Sequence, residues 1–297
     1  LKFGLPVSKP GKIICLGLNY LDHVKEGPNR DNIPKYPTLF MRGLNSVVAH
    51  NEPIIRPKIS ETFDYEAEMV AVVGKRAKHM TMANATSCIA GYTISNEGSI
   101  REFQRHTTQW HMGKNFDNSG SIGPWIVTAD ELPDGGKGLK IESRVNGKVM
   151  QSDNTANMMF PLAETIVYAT QGITLEPGDL ILTGTPSGVA HARKPPAWMK
   201  AGDVELVYLD GTAAVAALRT GRVDAAFCGI SDQPVTLRKA GFPAVAVTFA
   251  DLGVPTLGSA LITHEDTIRD KPDLVKRMVA ATQRSWVAAL EDPKAAV

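Results

Sequence analysis

Three acidic residues at alternate positions, Asp64, Glu66 and Glu68 in the string DYEAEMVAVV, have the types and spacing to do chemistry. In an extended strand alternate residues share a face, so these carboxylates point one way while Tyr65, Ala67, Met69 and Ala71 point the other. Ionised carboxylates stacked about 7 Å apart along a strand repel one another unless water or a shared cation compensates them. An exposed acidic strand end is the ordinary explanation. The apolar run that follows at once, Met69 to Val73, argues instead that the strand enters a core with its carboxylates at the threshold. Oxygen ligands of this kind favour Mg²⁺ or Mn²⁺ over zinc, with Ca²⁺ as a further option.

His23 and Glu26 form a second pair. Three residues apart on a helical turn they lie on one face, where the carboxylate can orient the imidazole and raise its basicity. Most such pairs decorate a surface, so this one means chemistry only if something faces it. Arg101 and Gln104 are candidate substrate contacts, with an ordinary surface helix as the competing reading. His106, Trp110 and His111 have the character of pocket caps, whereas His50, His79, His191 and His264 read as structural or surface residues.

The elements that must position these groups are mostly strands. From Lys12 to about Asp203 short apolar runs alternate with Gly, Pro, Asn and Asp punctuation, a β-rich pattern with strands expected at 13–18, 65–73, 123–128, 139–145 and 180–183. The charged, Pro-containing stretch from Glu26 to Pro37 reads as a surface loop with the option of a lid. After about residue 204 the texture changes: apolar strands at 204–209, 223–228, 244–249 and 258–262 alternate with Ala-rich helical stretches at 211–220 and 272–291. That is an α/β pattern behind a β-rich one. It gives an expected division into 1–205 and 206–297.

The blocks ICLGLNYLDHVKEG, FDYEAEMVAVVGKRA, AGYTISNEGSIREFQ, GKNFDNSGSIGPWIVT, RVNGKVMQ, LEPGDLILTGTPSGV and MKAGDV stand in the order and spacing of the fumarylacetoacetate hydrolase superfamily, which residues 1–205 therefore resemble. The resemblance implies an α+β fold, a β-rich mixed sandwich or roll, followed here by a partial α/β lobe. It implies Mg²⁺ or Mn²⁺ held by Glu66, Glu68 and a third acid that falls on Glu97. The commonest pattern there is Asp-Val-Ser-Ala-Arg-Asp, where this chain has Glu97-Gly98-Ser99-Ile100-Arg101-Glu102; the longer Glu coordinates if the backbone retreats slightly. It further implies that His23 and Glu26 sit on a lid that activates water. Lys114 and Thr185 then line the pocket: an ammonium binds a carboxylate or polarises an oxo group, and a hydroxyl beside Gly backbone binds a carboxylate edge. A homodimer is the implied assembly.

Residues 206–297 resemble instead the later part of ABC-transporter substrate-binding proteins of the sulfonate or thiamine-precursor class, on LDGTAAVAALRTGRVDAAF, AVTFADLGVPTLGSALIT and KPDLVKRMVAATQRSWVAALEDP. Most of one lobe of such a protein and part of the other would be absent, so ligand binding by this segment alone is not expected. The chain reads as a chimera.

The bulk numbers constrain the rest. Thirty-two basic against 31 acidic residues give a net charge of +1, which provides no global field toward nucleic acid or an anionic membrane. The three cysteines are far apart among apolar neighbours and form no CxxC pair, as suits small buried hydrophobes in a reducing cytoplasm. Leu1 to Lys12 lacks a signal-peptide core, and no run of 18 apolar residues occurs, so neither secretion nor a membrane span is expected. Two functions compete. The first is a metal-dependent hydrolase cleaving a carbon–carbon bond in an acylpyruvate or related small oxo acid through an enolate, with oxaloacetate-type decarboxylation or keto–enol tautomerisation as alternatives at the same site. The second, suggested by the tail alone, is a solute-binding protein.

Overall fold

The computed structural model describes residues 3–209 and, beyond them, residues 225–229, 244–248, 259–264, 269–270, 272–273 and 275. The chain divides into two compact units, Leu1–Asp210 and Gly211–Val297. The first is an α+β unit dominated by strands.

Its centre is a mixed eight-stranded sheet in the order β2-β1-β12-β5-β6-β8-β3, with β9 paired to β6. These strands are β1 (Ile13–Gly17), β2 (Thr38–Arg42), β3 (Val47–Ala49), β5 (Ala67–Val73), β6 (Ile89–Asn96), β8 (Gly120–Ile122), β9 (Val127–Thr128) and β12 (Leu180–Leu182). A short ribbon pairs β4 (Phe63–Asp64) with β7 (Ser99–Ile100). A further sheet sets β10 (Lys140–Val145) between β11 (Lys148–Asn154) and β13 (Glu205–Leu209). The helices are short: α1 (Leu21–Glu26), α2 (Arg101–Gln104) and α3 (His111–Lys114) stand around the site, and α4 (Leu162–Gly172) is the longest of the unit.

All seven residues of β5 are buried, so both faces of this strand are covered. Val70 and Val72 pack with Ile13, Cys15, Val47, Ile122, Leu180 and Leu182 on one side. A second cluster, Phe63, Tyr65, Ile100, Ala190 and Met199, holds the β4–β7 ribbon. Glu68 shares the face of Val70 and Val72 by alternation. The acidic residues therefore enter a core, as the apolar run after them requires.

The expected strands differ from the observed ones in two places. The run expected at 65–73 is broken: Phe63–Asp64 pairs with Ser99–Ile100, and the long strand begins only at Ala67. Residues 123–126 are not strand, because the chain turns at Gly123-Pro124 between β8 and β9. Cys15 and Cys88 are buried and free.

In the second unit the described strands are β14 (Ala225–Gly229), β15 (Ala244–Thr248) and β16 (Ser259–His264), joined antiparallel in the order β14-β16-β15. The expected helix at 211–220 lies outside the described residues, as does most of the one expected at 272–291. No helix among the described residues is long and apolar enough to cross a membrane.

Candidate active site and metal centre

Three carboxylates converge where β5 meets β6. Glu66 precedes β5, Glu68 lies within it, and Glu97 follows β6 across the turn to β7. The antiparallel register puts Ala67 opposite Asn96 and Glu68 opposite Ser95, and the Glu97 amide donates to the Glu66 carbonyl at 2.8 Å. One ligand oxygen from each of Glu66, Glu68 and Glu97 lies within 4.8 Å of the others, and all three side chains are buried.

Buried carboxylates at that spacing need compensation. Glu97 receives Arg42 at 2.5 Å, and Lys114 bridges Glu97 and Glu66, standing 3.0 Å from the latter. Arg101 contacts Glu66 at 2.5 Å and Asp64 at 2.7 Å. Glu68 has a single described hydrogen bond, from the Gly184 amide at 2.8 Å. Gly184 can donate there because it adopts φ +88°, and a Cβ at that position would stand 2.7 Å from the Asn19 side chain.

The charges follow from these contacts. Burial works to raise Glu66, but Arg101 and Lys114 hold its carboxyl well below the usual range. Burial, with Glu97 and Glu66 nearby, pushes Glu68 well above it. Burial also raises Glu97 against the pull of Lys114 and Arg42. Four carboxylates, counting Asp64, thus face three cations, Arg42, Arg101 and Lys114, and the least compensated is Glu68. A buried all-oxygen donor set with one more carboxylate nearby than there are cations fits a hard divalent cation held by Glu66, Glu68 and Glu97.

The pocket above this floor is lined by Leu16, Gly17, Leu18, His23 and the start of the loop after α1, together with Glu66, Arg101, Gln104, Arg105, Trp110, Lys114, Thr185 and His191. Leu18 sits at φ 58°, a costly backbone conformation for a bulky residue, here at the pocket wall. His23 Nδ1 and Glu26 Oε1 are 2.9 Å apart, and the Gly188 amide donates to both Glu26 oxygens at 3.1 and 2.9 Å. The His23–Glu26 pair is thereby tied to the loop that carries Thr185. Thr185 Oγ1 accepts from Gln151 Nε2 at 2.7 Å, and Gln104 Oε1 accepts from Arg101 at 2.9 Å.

The sequence-expected residues therefore converge. Trp110 lines the pocket as expected for a cap, while His106 and His111 are not among its lining residues. Two participants, Arg42 and His191, escape sequence reasoning, and Asp64 takes a different part from the one its spacing suggests. Arg42 is separated from Glu97 by 55 positions, so only the folded chain brings them together. Asp64 belongs to the group but bonds to Arg101 and to the Ala190 and His191 amides rather than joining the ligand trio. His191, expected as structural or surface, is a wall of the pocket, and no local spacing announced it.

Comparison with known proteins settles the ancestry. The fumarylacetoacetate (FAA) hydrolase C-terminal family profile matches residues 12–219. The chain belongs to the fumarylacetoacetate hydrolase family. An NMT1/THI5-like profile matches residues 197–296, which makes the chain a chimera of the two. The mitochondrial oxaloacetate tautomerase of Rattus norvegicus is 43% identical over 202 residues, 68% of this chain and 64% of that protein. The family member described here thus spans slightly under two thirds of that relative. Fumarylacetoacetate hydrolase from Exiguobacterium antarcticum superposes with a TM-score of 0.62 at 35% identity, over 68% of this chain and 72% of its own. The 5-carboxymethyl-2-hydroxymuconate delta-isomerase from Mycobacterium smegmatis does so with a TM-score of 0.59 at 32% identity, over 68% and 73%. That the rat relative is named as mitochondrial does not match the cytoplasmic expectation for this chain.

Proposed function

We propose that this family member is a divalent-metal-dependent enzyme that moves a proton at the carbon beside the carbonyl of a small 2-oxo acid, interconverting keto and enol forms of an oxaloacetate-like substrate. The observation that carries this reading is the buried trio Glu66, Glu68 and Glu97, which together with Asp64 sets four carboxylates against the three cations Arg42, Arg101 and Lys114. A bound Mg²⁺ or Mn²⁺ would supply an electrophile for adjacent substrate oxygens. The chain's own groups do the rest. His23, oriented by Glu26, takes or returns the proton through Nε2, since Nδ1 is engaged by the carboxylate. Lys114 and Arg101 offset the floor's charge so that an anionic acid can approach, and Thr185 presents a hydroxyl to a carboxylate edge. Arg105 also lines the pocket, has no salt bridge among the described residues, and would be open to a second substrate carboxylate. Similarity to proteins named as tautomerase and isomerase supports this choice of reaction.

Hydrolytic cleavage of an acylpyruvate, the leading expectation from sequence, remains the second reading. The 2.9 Å His23–Glu26 pair favours it, because a carboxylate-backed imidazole is what water activation requires. A homodimer is proposed on the same family ground, and a ligand-binding role for the tail is not. The test is direct: with Mg²⁺ or Mn²⁺, enol-to-keto conversion of oxaloacetate followed by ultraviolet absorbance should be catalysed and should stop in excess EDTA. Catalysis undiminished by EDTA would sink the metal assignment. Acylpyruvate cleavage without tautomerisation would select the second reading.

A further inference from the structure

His191 lies in the short turn Ala190–Ala192, with its side chain 10% exposed. Its Nδ1 stands 3.1 Å from Asp64 Oδ2, and its own amide donates to the same oxygen at 3.2 Å. Asp64 is already a crowded acceptor: Arg101 Nε at 2.7 Å, the Ala190 amide at 2.6 Å and the Tyr65 amide at 2.9 Å also donate to it. Because Arg101 matches the charge of Asp64, the imidazole need only be a neutral N–H donor there. The bond then fixes the tautomer, with hydrogen on Nδ1 and the lone pair on Nε2.

That Nε2 is buried and has no hydrogen-bond partner among the described residues. Buried polar atoms are nearly always paired, and an orphan at a pocket wall calls for a ligand. The opening in front of it belongs to Gly27, the residue that ends α1: a Cβ there would stand 3.8 Å from His191 Nε2. Gly27 has φ −100°, which any residue tolerates, so its bareness is not demanded by the backbone. The rings of His23 and His191 are 6.5 Å apart, close enough for one small molecule to reach both.

We propose that His191 Nε2 is the acceptor for a hydroxyl of the substrate, so that the pocket selects the hydroxyl-bearing form of a small oxo acid, its enol, over the carbonyl form. A keto acid with ionised carboxylates has no O–H to offer this nitrogen; the enol has one. Asp64 is the positioning residue, holding the ring so that its lone pair faces the pocket. This deepens the tautomerase reading and rests on it.

Isothermal titration of the full chain in Mg²⁺ with malate, which carries a 2-hydroxyl, and with succinate, which lacks it, reads the preference. In the parent, malate should bind at least tenfold more tightly. His191→Phe should weaken malate by about tenfold, the worth of one net hydrogen bond, and leave succinate within twofold. His191→Gln, which restores a carbonyl acceptor, should recover part of the loss. Gly27→Ala keeps the His191–Asp64 bond and sets a methyl before Nε2, so it should lower malate selectively even if His191→Phe does not fold. Equal losses for both diacids, no loss in any variant, or a parent indifferent to the hydroxyl would each overturn the assignment. A parent that binds no Mg²⁺ would fail the metal reading instead; the malate–succinate contrast, repeated without metal, would still decide His191.

Discussion

The floor of the pocket and its lid solve the problem of holding charge in opposite ways. On the floor, Glu66, Glu68 and Glu97 are buried, and their counter-charges come from three other elements, β2, α2 and α3. At the proposed lid, His23 and Glu26 are neighbours on one turn of α1, His23 buried and Glu26 partly open to solvent, and the Gly188 amide holds the Glu26 carboxylate. A floor assembled by a sheet is preorganised before anything binds. A pair set on one helical turn lies outside that floor, so changing it leaves the three carboxylates in place. The floor should therefore set whether the site exists, and the lid how fast it works.

The largest effect should come from the floor. Glu66→Ala and Glu68→Ala should each reduce metal-dependent turnover by about 10³-fold or more, as loss of a metal's several kcal/mol of stabilisation implies. Their stabilities should diverge. Glu68 is held by one amide among like charges, so Glu68→Ala should leave the melting temperature unchanged or higher. Glu66 pairs with Arg101 and Lys114, and its removal takes one partner from each, leaving Arg101 to Asp64 and Lys114 to Glu97. Thermal melts that fall equally for the two variants would break the distinction.

Next is Arg42, buried and bonded to Glu97, Gly98, Ser46 and Ser119. Arg42→Met leaves Glu97 without its guanidinium and should cost about 3–5 kcal/mol of stability in urea unfolding. A loss below about 1 kcal/mol, the scale of a surface pair, would mean Lys114 alone supports Glu97.

On the lid, His23→Ala should slow proton transfer by about 10²-fold, the ordinary worth of a general base, with metal affinity unchanged by calorimetry. Equal losses in turnover and metal binding would join lid and floor into one device. The smallest effect is expected from the second unit. The proposed catalytic and metal-binding groups all precede residue 206, so a chain ending at Leu209, which retains β13, should keep its metal site and measurable turnover. A soluble, folded chain of that length that binds no metal would show that the tail helps build the floor.

How much of this was legible in sequence follows the same division. The alternation of Glu66 and Glu68 ahead of an apolar run, and the spacing of His23 and Glu26, are local signals, and both pairs stand where those signals put them. Glu97, Lys114 and Thr185 were reachable only through resemblance to a family, because nothing near them in sequence names their partners. Arg42 and His191 were out of reach altogether: their meaning lies in contacts to Glu97 and Asp64 across 55 and 127 positions. The break between Asp64 and Ala67 was hidden for a related reason. An alternating acidic string reads as one strand, and only the pairing of Phe63–Asp64 with Ser99–Ile100 turns it into two.

The central claim is that the floor holds a divalent cation, and calorimetric titration of Mn²⁺ into the metal-free full chain tests it most directly. One site per chain is expected, abolished in Glu68→Gln, a variant that keeps the side chain's shape and removes its charge. Saturable one-to-one binding that survives Glu68→Gln undiminished, or a parent that takes up no Mn²⁺, would contradict the account.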